Sequence, residues 1–393
     1  MEAAKKLYLQ TWRVLVLGIS LGIIAYLLYF RRLSSLPPGY SAPELHTYVQ
    51  AGNWHSILSN PINAPYKALM WICLAVTHHN LLSGRVVSAC IGLLAAVLFF
   101  VVVRTWCSYR TALMTTILFA ASAGLLHFAR LGTGSILQTS VLALIGILLW
   151  YRDHQTYRAI TGYLLVVLFA LLWYVPGMIW FEILGLVILR KTIRGQLKDT
   201  KTLSLASMPI VFLLCIIPLT WESIKHPKLL MQLAGLPQNL HTLAHICSNF
   251  WNLILGIVAY SNGSPLYWVG HAPLLSITEV VALLLGAYYI ARETSGRSIF
   301  LLGSGIIGLV LASLDGGVTF ACIAPVIYLC IAAGIDHFLN TWLTVFPRNP
   351  VARIGGIGIV CLMLAFSILY QIRTYYVAWP HAPATYKTFN HRG

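Results

Sequence analysis

Only ten of the 393 residues are Asp or Glu, so carboxylate chemistry has few possible carriers. Glu44 is the best placed of them. It follows Leu36-Pro37-Pro38-Gly39-Tyr40-Ser41-Ala42-Pro43, a rigid turn just past the first apolar run. A carboxylate held there could act as a general base on an acceptor hydroxyl or amine. It could also organise a divalent cation, with His46 as a neighbouring ligand. A third reading makes it a first-turn residue of a helix from Pro43 to Ala51, stabilised by the helix dipole. Three cations, Lys67, Arg85 and Arg130, could clamp a lipid phosphate. Each could instead snorkel to the membrane interface. Arg130 lies in the short loop HFARLGTGS, where Gly132 and Gly134 leave backbone amides accessible.

Other chemistry-bearing residues are sparser. His78-His79 and His241…His245 are the close histidine sets. The second pair has i, i+4 spacing, but Thr242 stands where an HExxH zinc motif needs Glu. Asp315-Gly316-Gly317 reads as a tight turn with a turn Asp. Glu222 lies in a loop, whereas Glu182 and Glu279 lie near helix starts. Ser276 and Thr278 are close enough to satisfy Glu279. Eight Cys form no CxxC pair and read as small packing residues.

The elements that must position these residues follow from composition. Hydrophobic residues make up 59% and charged residues 9%, against roughly 25% charged in soluble proteins. That excludes a soluble enzyme and a disordered chain. Apolar runs recur at 14–30, 86–103, 111–128, 135–151, 160–176, 177–190, 205–221, 273–291, 298–314, 317–335 and 354–372. The pair 160–190 is split by Val175-Pro176-Gly177, a turn signal. Another run, 64–80, could cross or lie on the surface. The positions of Lys and Arg decide between these. With the N-terminus inside and 64–80 not crossing, 16 of 26 fall inside. If 64–80 crosses, the ratio inverts, against the positive-inside rule.

The net charge of +16 is therefore a topology signal and gives nucleic acid no support as a partner. The expected architecture is an all-α integral membrane protein, a single polytopic domain over 1–393 with about 11 transmembrane helices. Its N-terminus is cytoplasmic and its C-terminus outside. Interfacial helices occupy two long outer loops, 31–85 and 222–272, followed by a short outer tail at 374–393. In the second loop, 245–260 is periodic enough for a buried or interfacial helix. Eleven of thirteen His fall at or near the outer face.

The order of these segments resembles the GT-C superfamily of polytopic glycosyltransferases, and within it the protein O-mannosyltransferase and aminoarabinose transferase-like proteins. The matching pieces are Pro37-Pro38-Gly39…Pro43-Glu44, Asn60-Pro61…Ala64-Pro65 with Trp71, Ser83-Gly84-Arg85-Val86-Val87-Ser88-Ala89 with Gly92, and Phe128-Ala129-Arg130. Ser264-Pro265-Leu266…Ala272-Pro273-Leu274-Leu275 and Trp379-Pro380…Phe389-Asn390 complete the set. The resemblance implies a plasma-membrane enzyme that takes a sugar from a polyprenyl-phosphate donor at the outer face. It passes the sugar, with inversion, to a cell-envelope glycan, lipid or protein. Glu44 would then be the base or metal-organising acid, and Lys67, Arg85 and Arg130 would bind donor phosphate. His46, Asp315 and Glu222 would be additional outer-face groups. A divalent cation is the cofactor such a site could use, with Glu44 and His46 as candidate ligands.

The sequence departs from the family in specific places. Pro43 replaces the Asp of the family's first-loop pair, and Gly134 stands where an acid usually follows the Arg. Asn63 and Ala64 occupy the place of the Lys in the aminoarabinose branch. The large soluble outer domain of some relatives is missing. These departures keep open a catalytically inactive relative that binds the lipid carrier or serves as an assembly subunit. A transporter ranks last, because neither paired mid-membrane charges nor repeats are evident.

Overall fold

The computed structural model describes residues 19–78, 80–146, 158–198, 202–239, 242–261, 263–293 and 295–390. Lys5, Lys6, Arg13, His79, Lys201, His241, His391 and Arg392 lie outside the described residues, as do 147–157, which carry Arg152 and His154. The regular elements are α1 (Ile19–Phe30), α2 (Ala42–Ala51), α3 (Trp54–Ser59), α4 (Ala64–Val76), α5 (Leu82–Trp106), α6 (Tyr109–Ala121), α7 (Ala123–Ala129) and α8 (Gly134–Gly146). They continue as α9 (Arg158–Leu172), α10 (Met178–Lys198), α11 (Thr202–Lys225), α12 (Lys228–Leu233), α13 (Leu243–Val258), α14 (Ile277–Arg292) and α15 (Gly296–Ser313). Last come α16 (Ala324–Val345), α17 (Pro350–Arg373) and α18 (Pro383–Thr388).

The protein is all-α, as expected, and helical backbone lies in every expected apolar run. Among the described residues, five helices are long and apolar enough to span a bilayer, or six if the pair α6–α7, bent by 57°, is one span. The other apolar helices are shorter, so length and composition alone do not reach eleven. The bend at α6–α7 has a local cause. Ser122 Oγ accepts from Leu125 N, restarting the helix, and donates to Phe119 O.

Caps written into the sequence set several boundaries. Ser41 and Glu44 form a capping box that starts α2, and Ser276 with Glu279 repeats it at α14. Asn349 accepts from Val351 N and Ala352 N ahead of Pro350, at the start of α17. The helix α4 lies across the first turns of α5 rather than alongside its length. Tyr66 OH donates to Gly84 O at 2.7 Å and meets Ser88, while Thr77 meets Ser83. At 13 residues α4 is shorter than the helices long enough to span.

Segments far apart in sequence gather at one end of the bundle. Asn63 N donates to Tyr174 O, Gly177 N to Leu233 O, and Gln138 Nε2 to Gly317 O. At the opposite end Asp336 accepts from Ser108 N and Thr111 Oγ1. Between them α16 is almost wholly buried over 324–335. Its partner α14 approaches so closely that a Cβ on Gly286 would stand 1.8 Å from Cys330 O, and one on Gly334 2.1 Å from Ala282 O. Small residues at such a crossing let backbones touch, the packing that apolar solvent favours. Glu279 at the head of α14 accepts from Tyr328 OH, Gln371 Nε2 and Ser276 N, tying α14 to α16 and α17.

Replacing Gly286 by Ala should therefore push α14 off α16. We expect thermal unfolding in detergent to show a loss of roughly 1–3 kcal/mol, typical of overpacking. An unchanged melting temperature would mean that the crossing is looser than described.

Candidate functional site

The first loop and α5 meet at a buried ion pair. Arg85 Nε lies 2.9 Å from Glu44 Oε1, and Arg85 Nη2 lies 3.3 Å from Oε2. The two residues are 0% and 4% exposed. Glu44 occupies the third position of α2. Ser41 N and Ser41 Oγ donate to Oε2 at 2.9 and 3.1 Å, and Gly132 N donates to Oε1 at 2.8 Å. Five donor contacts thus converge on one carboxylate. Arg85 is equally occupied, donating from Nη1 to Leu33 O and from Nη2 to Gly39 O, with the Tyr40 ring 4.4 Å from its Cζ. An ion pair this enclosed is sustained only because its remaining polar atoms are satisfied.

Arg130 is also fully buried. Its Nη1 donates to Leu28 O at 3.0 Å and to Tyr376 OH, and its Nη2 to Arg31 O at 2.8 Å. These carbonyls belong to the end of α1, where helix carbonyls lose their intrahelical partners and gather negative potential. Arg130 is thus a cationic cap for α1, stacked near the Tyr375 and Tyr376 rings. The sequence offered phosphate clamping or snorkelling for Arg85 and Arg130. In the structure their guanidinium groups hold protein carbonyls and a carboxylate.

Lys67 differs. It is buried in the first turn of α4, and its Nζ makes one hydrogen bond among the described residues, to Asn60 O at 2.8 Å. Burial lowers its pKa to about 8. Two acceptors in the same segment, Asn60 Oδ1 and Asn63 Oδ1, are buried without partners. Asn63 adopts a left-handed conformation, and its side chain presses on the second loop. A Cβ on Gly134 would stand 2.7 Å from it. The segment 60–67 therefore packs on the loop whose Gly132 amide holds Glu44.

The remaining candidates lie apart from this pair. His46 is exposed and pairs with Gln50 on α2, away from the buried Glu44. Glu222 ends α11 with Lys225 and His226 at 3.4 Å. Asp315 is an exposed turn residue with φ 61°, beside a cavity of about 250 Å³ lined also by Tyr267, Trp268 and Thr319. No three His, Cys, Asp or Glu side chains gather as metal ligands among the described residues. Glu44 and His46 do not fit a shared cation, since both carboxylate oxygens are engaged and the imidazole faces elsewhere. Sequence reasoning missed Gly132 as a partner of Glu44, Asn60 and Asn63 beside Lys67, and Arg31 and Arg32. Only the Ser41-x-x-Glu44 capping box was written locally enough to be found.

The fold is that of a polytopic helical membrane protein. Two crystal structures of ArnT from Cupriavidus metallidurans share it. One, bound to undecaprenyl phosphate, aligns over 96% of this chain and 77% of its own with a TM-score of 0.50 at 15% identity. The apo form aligns over 97% and 78% with a TM-score of 0.51, also at 15% identity. The resemblance read from the sequence is thus borne out at the level of fold. No family model matches the chain, and comparison with curated proteins finds no match.

If the Glu44–Arg85 pair anchors the first loop, removing either partner leaves a buried unpaired charge. Glu44→Gln and Arg85→Gln should each cost about 3–5 kcal/mol. The double variant should cost clearly less than their sum in a double-mutant cycle of thermal unfolding. Simple additivity would show that the two side chains do not interact.

Proposed function

We propose that this protein is a membrane glycosyltransferase that uses a polyprenyl-phosphate sugar donor at the outer face. The observation that carries this reading is a fold shared along nearly the whole chain with an ArnT structure bound to undecaprenyl phosphate. The local chemistry is compatible. Lys67 is buried with one hydrogen bond at its Nζ and has N–H groups to spare, so it is the donor-phosphate contact in this proposal. Asn60 and Asn63, whose carboxamides can each donate or accept, stand beside it. As the acceptor oxygen bonds to the anomeric carbon, the bond from that carbon to the phosphate oxygen breaks. Charge then collects on the departing polyprenyl phosphate, where an ammonium is most useful. The acceptor's proton goes to a base.

Glu44 is the carboxylate proposed for that step, with Arg85 and Arg130 as positioning residues. Arg85 holds the Glu44 carboxylate in place, and Arg130 fixes the loop that supplies the Gly132 amide. The acceptor is a cell-envelope glycan, lipid or protein, and the membrane is the plasma membrane with the N-terminus cytoplasmic. One observation favours a second reading. The five donor contacts at Glu44 occupy both carboxylate oxygens, which suits a relative that binds the lipid carrier without turnover.

Release of polyprenyl phosphate from a panel of sugar-linked donors separates the two. The first reading expects release by the purified wild type and a loss with Lys67→Gln, largely restored by Lys67→Arg. Carrier binding without release from any donor would establish the second. Because the free Lys67 ammonium titrates at about 8, an anionic donor should bind less tightly as pH rises past that value. The weakening approaches roughly tenfold per pH unit until the higher pKa of the bound state is reached. A flat pH dependence from 7 to 9.5 would remove Lys67 from the phosphate site.

A further inference from the structure

At the end of α1 the chain turns sharply. Arg32 adopts a left-handed conformation with φ 55°, a rare setting for a residue with a Cβ. The turn buries Leu33 and Leu36 and leaves Arg31 and Arg32 exposed. Beside them a groove of about 470 Å³ runs between α1 and the end of α17. Its walls are Ile24, Leu27 and Leu28 on one side and Ile372, Tyr376 and Val377 on the other, with Arg31 and Arg32 completing the lining. Neither guanidinium has an ion-pair or hydrogen-bond partner among the described residues. The helix end behind them carries little residual negative potential, because Arg130 already engages Leu28 O and Arg31 O. Two unpaired cations above apolar walls complement one kind of molecule, an anionic headgroup on a long hydrocarbon tail.

We propose that this groove is a docking site for a polyprenyl monophosphate. Its phosphate is held by Arg31 and Arg32, and its first isoprene units lie along Leu27, Leu28 and Ile372. The choice of a polyprenyl tail rests on the lipid-carrier reading above; the groove and its charges do not. The site is distinct from Lys67, which lies in α4. It is mechanically joined to the first loop, because Arg130 grips the groove wall through Leu28, Arg31 and Tyr376. The same loop gives the Gly132 amide to Glu44. A carrier lipid resting here would be held next to the site before or after sugar transfer.

Binding of undecaprenyl monophosphate to the purified full chain in detergent, read by native mass spectrometry, tests this. Arg31→Gln/Arg32→Gln should weaken binding about thirtyfold, from roughly fivefold for each interfacial cation. Leu27→Trp, which fills the groove and leaves both charges, should weaken it as well. A tenfold excess of phosphatidylglycerol should displace little of the bound lipid. Equal competition by phosphatidylglycerol would make the groove an ordinary anionic-lipid contact and overturn the proposal. Unchanged binding in both variants, with loss in Lys67→Gln, would overturn the groove while leaving the carrier reading intact. No binding by the wild type would remove both.

Discussion

The buried pair between Glu44 and Arg85 is the constraint on which this end of the molecule depends. Neither charge could remain in an apolar bundle alone. Together they require that α2 present its third residue inward and that α5 begin beneath it. They also require that the second loop bring the Gly132 amide to the same carboxylate. The proline-rich stretch 36–43 follows from this demand. It must carry the chain from the end of α1 to the cap at Ser41 while giving the Leu33 and Gly39 carbonyls to the guanidinium. One ion pair thereby sets the path of the first loop, the start of α5 and the position of the 130–134 segment.

Much of the architecture was legible because membrane folding depends on long apolar runs and on where cations stop. The helices in all the expected runs and the break at Pro176-Gly177 follow from that arithmetic. Caps such as Ser41-x-x-Glu44 and Asn349-Pro350 are equally local. The site was less legible, because its partners are remote in sequence. Nothing near Arg85 says that its carboxylate is 41 residues upstream, and nothing near Arg130 says that it will cap a helix ending at Phe30. The same holds for Glu279, whose local serines were visible but whose partners Tyr328 and Gln371 were not.

Burial also sorts cations that look alike in sequence. Arg85 and Arg130 spread several donors over a planar fork, which suits them to tie carbonyls and carboxylates from different segments. Lys67 offers a point charge on a flexible stem and makes one bond. Arg31 and Arg32 sit one turn past an apolar helix, where sequence alone suggests ordinary interfacial anchors. Their distinction comes from the facing wall, contributed by residues 372–377 at the other end of the chain. A charge pattern fixes which face a residue approaches; the tertiary fold decides whether anything remains for it to bind.

That distinction bears on how the loss of an acid can be tolerated. With Pro43 in place of a carboxylate, the first loop carries one negative charge, and five donor contacts converge on it. A second acid there would need donors of its own, and four of the five N–H groups of Arg85 are already engaged. The loop is therefore internally complete with Glu44 alone. Near it Asn60 Oδ1, Asn63 Oδ1 and Arg130 Nε are buried without hydrogen-bond partners. Buried polar atoms without partners are costly, and the two carboxamide oxygens call for a donor, which a hydroxyl or a spare N–H of Lys67 could supply and an ionised phosphate could not.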